Sequence, residues 1–103
     1  MFNGMGNAGN MQGMMKKVQK MQAEMMKMQE ELKTRTVETT VGGGALTIVA
    51  NGKKEIESIK IKPEAIDPDD VEMLQDMIVS GVNEALRKID EMTEREMSKI
   101  TGG

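Results

Sequence analysis

The chain has no cysteine, no histidine, no tryptophan and no tyrosine, and its one phenylalanine stands at position 2. Each gap removes a class of chemistry. Without Cys and His there is no disulfide framework, no thiolate or imidazole zinc site, and no His-activated Ser or Cys nucleophile. Without aromatic rings on a strand there is no base-stacking platform of the RRM or OB type. A run of about 18 apolar residues that could cross a membrane is also missing, and the N-terminus lacks the charged-then-apolar order of a secretory signal. The reading is therefore a cytoplasmic protein with no membrane partner, no cofactor, no metal and no small-molecule substrate.

What remains is still a folding sequence. It has 103 residues, of which 38% are hydrophobic, with 11 glycines besides; that suits one globular domain with one modest core. Thirteen methionines are the excess that needs a reason. The net charge of -3 argues against a polyanionic partner until it is divided along the chain. Residues 1–62 hold 10 basic and 6 acidic side chains, net +4, whereas residues 63–103 hold 4 and 11, net -7. Segregated charge lets one region attract an anion that the whole chain would repel.

The first ten residues, MFNGMGNAGN, have no period and read as a flexible Gly/Asn/Met-rich leader. Residues 11–100 then form a single α-β-β-β-α domain. Met11, Met14, Val18, Met21, Met25, Met28 and Leu32 recur at alternating spacings of three and four, which predicts a long helix with one apolar seam. Lys20/Glu24 and Lys27/Glu31 are i,i+4 pairs of opposite charge off that seam. The period then falls to two in TRTVETTV, ALTIVAN and EIESIKIK, three strands in which Ile59 and Ile61 face inward. Gly42–Gly44 make the first turn. Asn51-Gly52 suits a type I′ turn before the third strand. Pro63 ends the sheet, and Asp67 as N-cap with Pro68 at the first helical position starts a helix of about residues 68–99. Its seam is Val71, Leu74, Ile78, Val82, Ala85, Ile89 and Met92, and residues 101–103 form a frayed tail.

The fold class is α+β: long helix, three-stranded antiparallel meander, long helix. A sheet this small cannot cover both helices, so a second copy completes the core, giving an intertwined homodimer with projecting helices. The methionines are adaptable filler for that core and dimer seam, made of Met14, Val18, Met21, Met25, Met28, Leu32, Leu74, Ile78, Val82 and Ile89.

Carboxylates adjoin at Asp69/Asp70, Asp90/Glu91 and Glu94/Glu96, but neighbours on a helix do not converge and no calcium-loop glycine accompanies them. Gly42-Gly43-Gly44 has no following Lys-Ser/Thr and leads into a strand, so it is a turn and not a phosphate cradle. No catalytic constellation is present, and an enzyme is not expected. The cations are more informative. Lys16, Lys17 and Lys20 open the first helix while Arg95 and Lys99 close the second, so antiparallel helices pool five cations at one tip and ten in a dimer; Lys27 and Arg35 lie further along. Such a group contacts phosphates without reading bases.

The Met-rich segment MMKKVQKMQAEM, the stretch VETTVGGGALTIVANGKKEIESIKIKPEAIDPDDVEMLQDMIVSGVNEAL and the closing EREMSKITGG resemble the YbaB/EbfC family of bacterial nucleoid-associated proteins. The most specific parts are Gly42–Gly44, Asn51-Gly52 and the block Asp67–Leu74. The resemblance covers nearly the whole chain. It implies a small cytoplasmic homodimer that binds double-stranded DNA in the nucleoid, with paired helices projecting like tweezer arms, and that influences nucleoid organisation and gene expression. Joined to the pooled cations, it points to backbone contact by Lys16, Lys17, Lys20, Arg95 and Lys99, with Lys27 and Arg35 secondary and sequence preference weak. The rival reading is a Met-rich coiled-coil adaptor or holdase-like module whose seam accepts apolar segments of other proteins.

Overall fold

A computed structural model describes residues 2–102, with side chains described from Met11 onward. Three segments that alternate β-branched and polar residues pair as strands β1 (Thr36–Val41), β2 (Leu46–Asn51) and β3 (Ile56–Ile61), in the spatial order β1-β2-β3 with both pairings antiparallel. Helix α1 (Phe2–Thr34) precedes them; a 3₁₀ turn (Pro63–Ala65) and helix α2 (Val71–Thr101) follow. The element order expected from periodicity is the one observed. Helix α1 already begins at Phe2, so the segment read as a leader is continuous with it, although the side chains of residues 1–10 lie outside the described residues.

Period two decides which side chains form the core. Leu46, Ile48 and Ala50 alternate on the face of β2 that meets α2 and are fully buried, joined there by Ala85 and Ile89 of α2. Complete burial of an isoleucine side chain is worth about 1.5–3 kcal/mol, so Ile48 and Ile89 anchor the interface. The helix approaches closely at Gly81, where a Cβ would overlap Ile48 Cδ1 and stand 2.8 Å from Val41 Cγ2.

Strand β3 departs from the expected burial. Ile59 pairs with Ile48, which places it on the core face, yet it remains 37% exposed because α2 packs on β1 and β2 and leaves the β3 edge uncovered.

The second turn also differs from the type I′ expectation. Asn51 completes β2; Lys54 N–H donates to Asn51 O at 2.9 Å, and Asn51 N–H donates to Glu55 O at 3.0 Å. The one positive φ in this turn is that of Lys54, at 62°. This is a three-residue hairpin loop closed by a left-handed residue. The Asn51 side chain explains it: Oδ1 accepts from Lys53 N–H (2.9 Å) and Glu55 N–H (3.3 Å), and Nδ2 donates to Glu57 (3.0 Å). Gly52 is required for another reason. A Cβ there would overlap the carbonyl oxygen of Leu32 in the last turn of α1.

Both ends of α2 shift as well. Asp67 does not cap the helix: its side chain accepts from Asp69 N–H at 2.9 Å and its carbonyl accepts from Asp70 N–H at 3.0 Å, a turn that satisfies Asp67 locally. The N-cap is Asp70, which accepts from Met73 N–H at 3.2 Å, so the helix starts at Val71 and not at Pro68. At the other end Thr101 is helical where fraying was expected, because Gly102 adopts a left-handed C-cap (φ 77°) and donates to Ser98 O.

Helices α1 and α2 run antiparallel, but α2 stops where Ile100 meets Glu24, Lys27 and Met28. Beyond that point α1 continues alone for roughly 30 Å at 1.5 Å per residue. The molecule is accordingly an elongated body of 83 × 18 × 16 Å.

Candidate nucleic-acid interface

A helix turns about 100° per residue, so positions 16, 20 and 27 fall within roughly 40° of one another around α1. Lys16, Lys20 and Lys27 thus form one cationic stripe roughly 17 Å long, with Lys17 flanking it. All four are exposed. Met14, Met21, Met25, Met28 and Leu32 lie on the opposite side by the same geometry. The stretch of α1 beyond α2, here called the arm, therefore has a thioether side and an ammonium side.

Part of the sequence split of +4 and -7 becomes a separation in space. Contacts of Gly42 with Met77 and of Gly81 with Val41 and Ile48 hold the N-terminal half of α2 against the Gly42–Gly44 turn, at the far end from the arm. Asp67, Asp69, Asp70, Glu72 and Asp76 are at that end. Across a molecule 83 Å long, with a screening length of about 8 Å at physiological salt, those carboxylates exert almost no field on the lysine stripe.

The structure modifies the expected pool of five cations at one tip. Lys16, Lys17 and Lys20 lie on the arm, past the end of α2, whereas Arg95 and Lys99 stand on the last turns of α2 beside the arm's root. They share an end of the molecule in steps along it. Two of the seven candidates are engaged: Arg35 Nη1 lies 3.4 Å and Lys99 Nζ 3.2 Å from the same Glu96 carboxylate oxygen. Among the described residues, Lys16, Lys17, Lys20, Lys27 and Arg95 make no ion pair. The anticipated Lys20/Glu24 and Lys27/Glu31 pairs do not form. Both place the lysine N-terminal to the glutamate, the weaker orientation on a helix, and all four groups are solvated. Pairs with the glutamate first do form, at Glu30/Lys33 (2.8 Å) and Glu96/Lys99.

These pairs perturb the carboxylates. A hydrogen bond from Lys33, reinforced by its charge, lowers the pKa of Glu30. Glu96 is lowered chiefly by the hydrogen bond from Lys99; burial opposes this, and the charges of Lys99 and Arg35 add to the lowering. Asp90 is held by Lys54 at 2.8 Å. Asp70 serves as a cap. Among the described residues no three acidic side chains converge as metal ligands would.

The seam positions divide according to the cover available. Leu32 and Ile89 are buried, Met25, Met28, Leu74, Ile78 and Val82 are half-buried, and Met14, Val18 and Met21 are exposed at 66%, 51% and 37%. The exposed members are those on the arm, where neither sheet nor α2 reaches.

Sequence reasoning missed the root of the arm. An open cleft of about 400 Å³ lies there, lined by Gln29, Leu32, Lys33, Gly52, Lys53 and Thr93, and it brings Lys53 of the hairpin loop beside Lys33. The Asn51-Gly52-Lys53 segment was visible as a turn, but its docking on α1 is a tertiary contact without a local signature.

Comparison with known proteins places this architecture. Residues 5–103 match the YbaB/EbfC DNA-binding family. A "nucleoid-associated protein" of Ruminiclostridium cellulolyticum is 64% identical over 99% of this chain and 89% of its own length. One of the same description from Desulforamulus reducens is 66% identical over 92% and 90%, respectively. The fold recurs in the crystal structure of an uncharacterized protein from Helicobacter pylori, with a TM-score of 0.62 at 22% identity, covering 76% of this chain and 90% of that one. Among the described residues no helix is long and apolar enough to cross a membrane. A family match over all but the first four residues, together with relatives about two-thirds identical along most of their length, shows that this chain belongs to the YbaB/EbfC DNA-binding family.

Proposed function

We infer that this chain is a nucleoid-associated protein that binds duplex DNA as a homodimer, gripping the phosphate backbone with the lysine stripe of its arms. The observation that carries the reading is the stripe itself: Lys16, Lys20 and Lys27 with Lys17 beside them, exposed and without ion pairs among the described residues, on a helix that extends past its acidic partner. Phosphates rise about 3.4 Å per nucleotide along one strand, so a stripe of this length spans several of them. The stripe consists of lysines, point charges that lack the planar fork of bidentate base readout, and sequence preference is weak. Lys27 and Arg95 extend the contact toward the arm's root, while Arg35 and Lys99 join it only by sharing Glu96. The exposed apolar side of the arm, with Ile59 on the open sheet edge, supports pairing with a second copy, which leaves the lysine side outward. DNA held against these outward lysines changes conformation, and the protein thereby affects nucleoid organisation and gene expression.

A gel-shift titration of duplex DNA at rising salt tests this. Binding at low salt that weakens as salt rises, and that is abolished by reversing Lys16, Lys17 and Lys20 to Glu, supports it; binding indifferent to those reversals refutes it.

The exposed methionines favour one second reading, an adaptor that accepts apolar segments of other proteins. Substitution of Met14, Met21, Met25 and Met28 by Gln separates the two. Dissociation of the dimer assigns the seam to self-association; an intact dimer that has lost client binding assigns it to the adaptor.

A further inference from the structure

The β2–β3 loop is clasped against the last turn of α1 where the β1–β2 ladder runs out past Thr36 and Asn51, and the contact is built closely. Gly52 N–H donates to Arg35 O at 3.0 Å, and Arg35 N–H donates to Leu32 O at 3.1 Å. The Gly52 Cα rests against the Leu32 carbonyl, so that any Cβ there would overlap it. The obstacle is backbone and cannot move aside by changing rotamer. The loop is stiff, since Asn51 Oδ1 holds two of its N–H groups and Asn51 Nδ2 reaches Glu57. On the other side Arg35 reaches Glu96 of α2 at 3.4 Å. Residues 32–35 are thus fixed from two directions at the base of an arm with no other support from the described residues beyond Glu24.

We propose that Gly52 is the positioning residue that sets the direction in which the arm leaves the body, and through it the placement of Lys16, Lys17 and Lys20 on DNA. This rests on the DNA-binding reading above for its consequence, but not for its geometry. With the loop stiff, a methyl group at Gly52 displaces the end of α1. A shift of about 1.5 Å at Leu32, pivoting near Met28 where α2 ends, tilts the helix by roughly 14° and moves Gln12 by roughly 6 Å, taking 1.5 Å of rise per residue. Gly52 does not have a positive φ, so alanine at this position meets the steric obstacle alone.

The absence of cysteine makes the test direct. Spin labels at Gln12→Cys and Thr40→Cys report the distance from arm to sheet in the full chain, diluted with unlabelled protein so that only pairs within one chain contribute. Gly52→Ala is expected to move the distance by several ångströms while the far-ultraviolet spectrum stays helical. A distance unchanged from the parent overturns the proposal. Asn51→Ala serves as the second variant should Gly52→Ala fail to fold; it loosens the loop without a clash and is expected to broaden the distribution about the parent distance, and an unbroadened distribution overturns the proposal equally. Duplex binding is measured on the same unlabelled variants. Parent binding with a several-fold loss in Gly52→Ala supports the consequence for DNA. If the parent itself fails to bind, the DNA reading falls and the distance result still decides the positioning role. A moved arm with undiminished binding overturns the link between the clasp and DNA.

Discussion

Replacing glycine by alanine has opposite expected outcomes at two positions in this chain, and the structure says why. In a helix the exchange gains about 1 kcal/mol from backbone entropy and propensity. At Gly81 that gain meets a steric cost, since the new Cβ would overlap Ile48 Cδ1 and stand 2.8 Å from Val41 Cγ2. Ile48 is fully buried and has no free volume to move into. Overpacking a closed site costs about 1–3 kcal/mol, and a helix pressed onto a sheet belongs at the upper end, leaving a net loss of about 2 kcal/mol. For a domain of this size that lowers the thermal midpoint by roughly 8–16 °C. Gly13 has no heavy atom within 4 Å of its projected Cβ. Gly13→Ala keeps the propensity gain with no steric cost, so helicity rises and the midpoint does not fall. Melts followed at 222 nm, at equal protein concentration because any self-association adds to apparent stability, check both. A Gly81→Ala variant as stable as the parent refutes the close packing of α2 on β2.

Two further outcomes follow from local geometry. Asp70→Ala removes the side chain that accepts from Met73 N–H and is expected to cost about 1 kcal/mol in urea denaturation, while Asp67→Ala, which caps no helix, costs less. Because Glu96 titrates below the ordinary carboxylate range in the folded state, its ion pairs stabilise the protein above the unfolded pKa and are lost as pH falls through the lowered folded one. The difference in melting temperature between the parent and Glu96→Gln should therefore be largest near neutrality and vanish at acidic pH.

Where residues act through their own period or turn chemistry, the sequence foretells the fold. The three-four spacing of methionines announces α1, alternation in LTIVAN announces a strand with Leu46, Ile48 and Ala50 inward, and the proline at 63 marks the end of the sheet. The misreadings share one cause, a side chain with two possible uses. Asn51 was suited to a type I′ turn by its tolerance of positive φ, yet its amide served instead to bond the loop's backbone. Asp67 had the composition of an N-cap and spent its carboxylate on its own turn. Arg35 is legible in the sequence only as a cation, and its ion pair with Glu96, 61 residues on, comes from the antiparallel packing of α2. The charge asymmetry along the chain was legible as a number. Its meaning, a stripe of lysines carried clear of the acidic helix, needed the lengths of both helices in three dimensions.

The central claim is that the arm's lysines bind DNA phosphates, and the salt dependence of binding measures it most directly. Each phosphate neutralised contributes about 0.9 to the slope of log K against log salt, so replacing Lys16, Lys17 and Lys20 by Gln lowers that slope by roughly 2.7 per engaged arm. Between 50 and 200 mM salt the parent then loses roughly 40-fold more affinity per arm than the variant. Fluorescence anisotropy on a labelled duplex across that range gives both slopes. A fall of this size is predicted; equal slopes for parent and variant contradict the account.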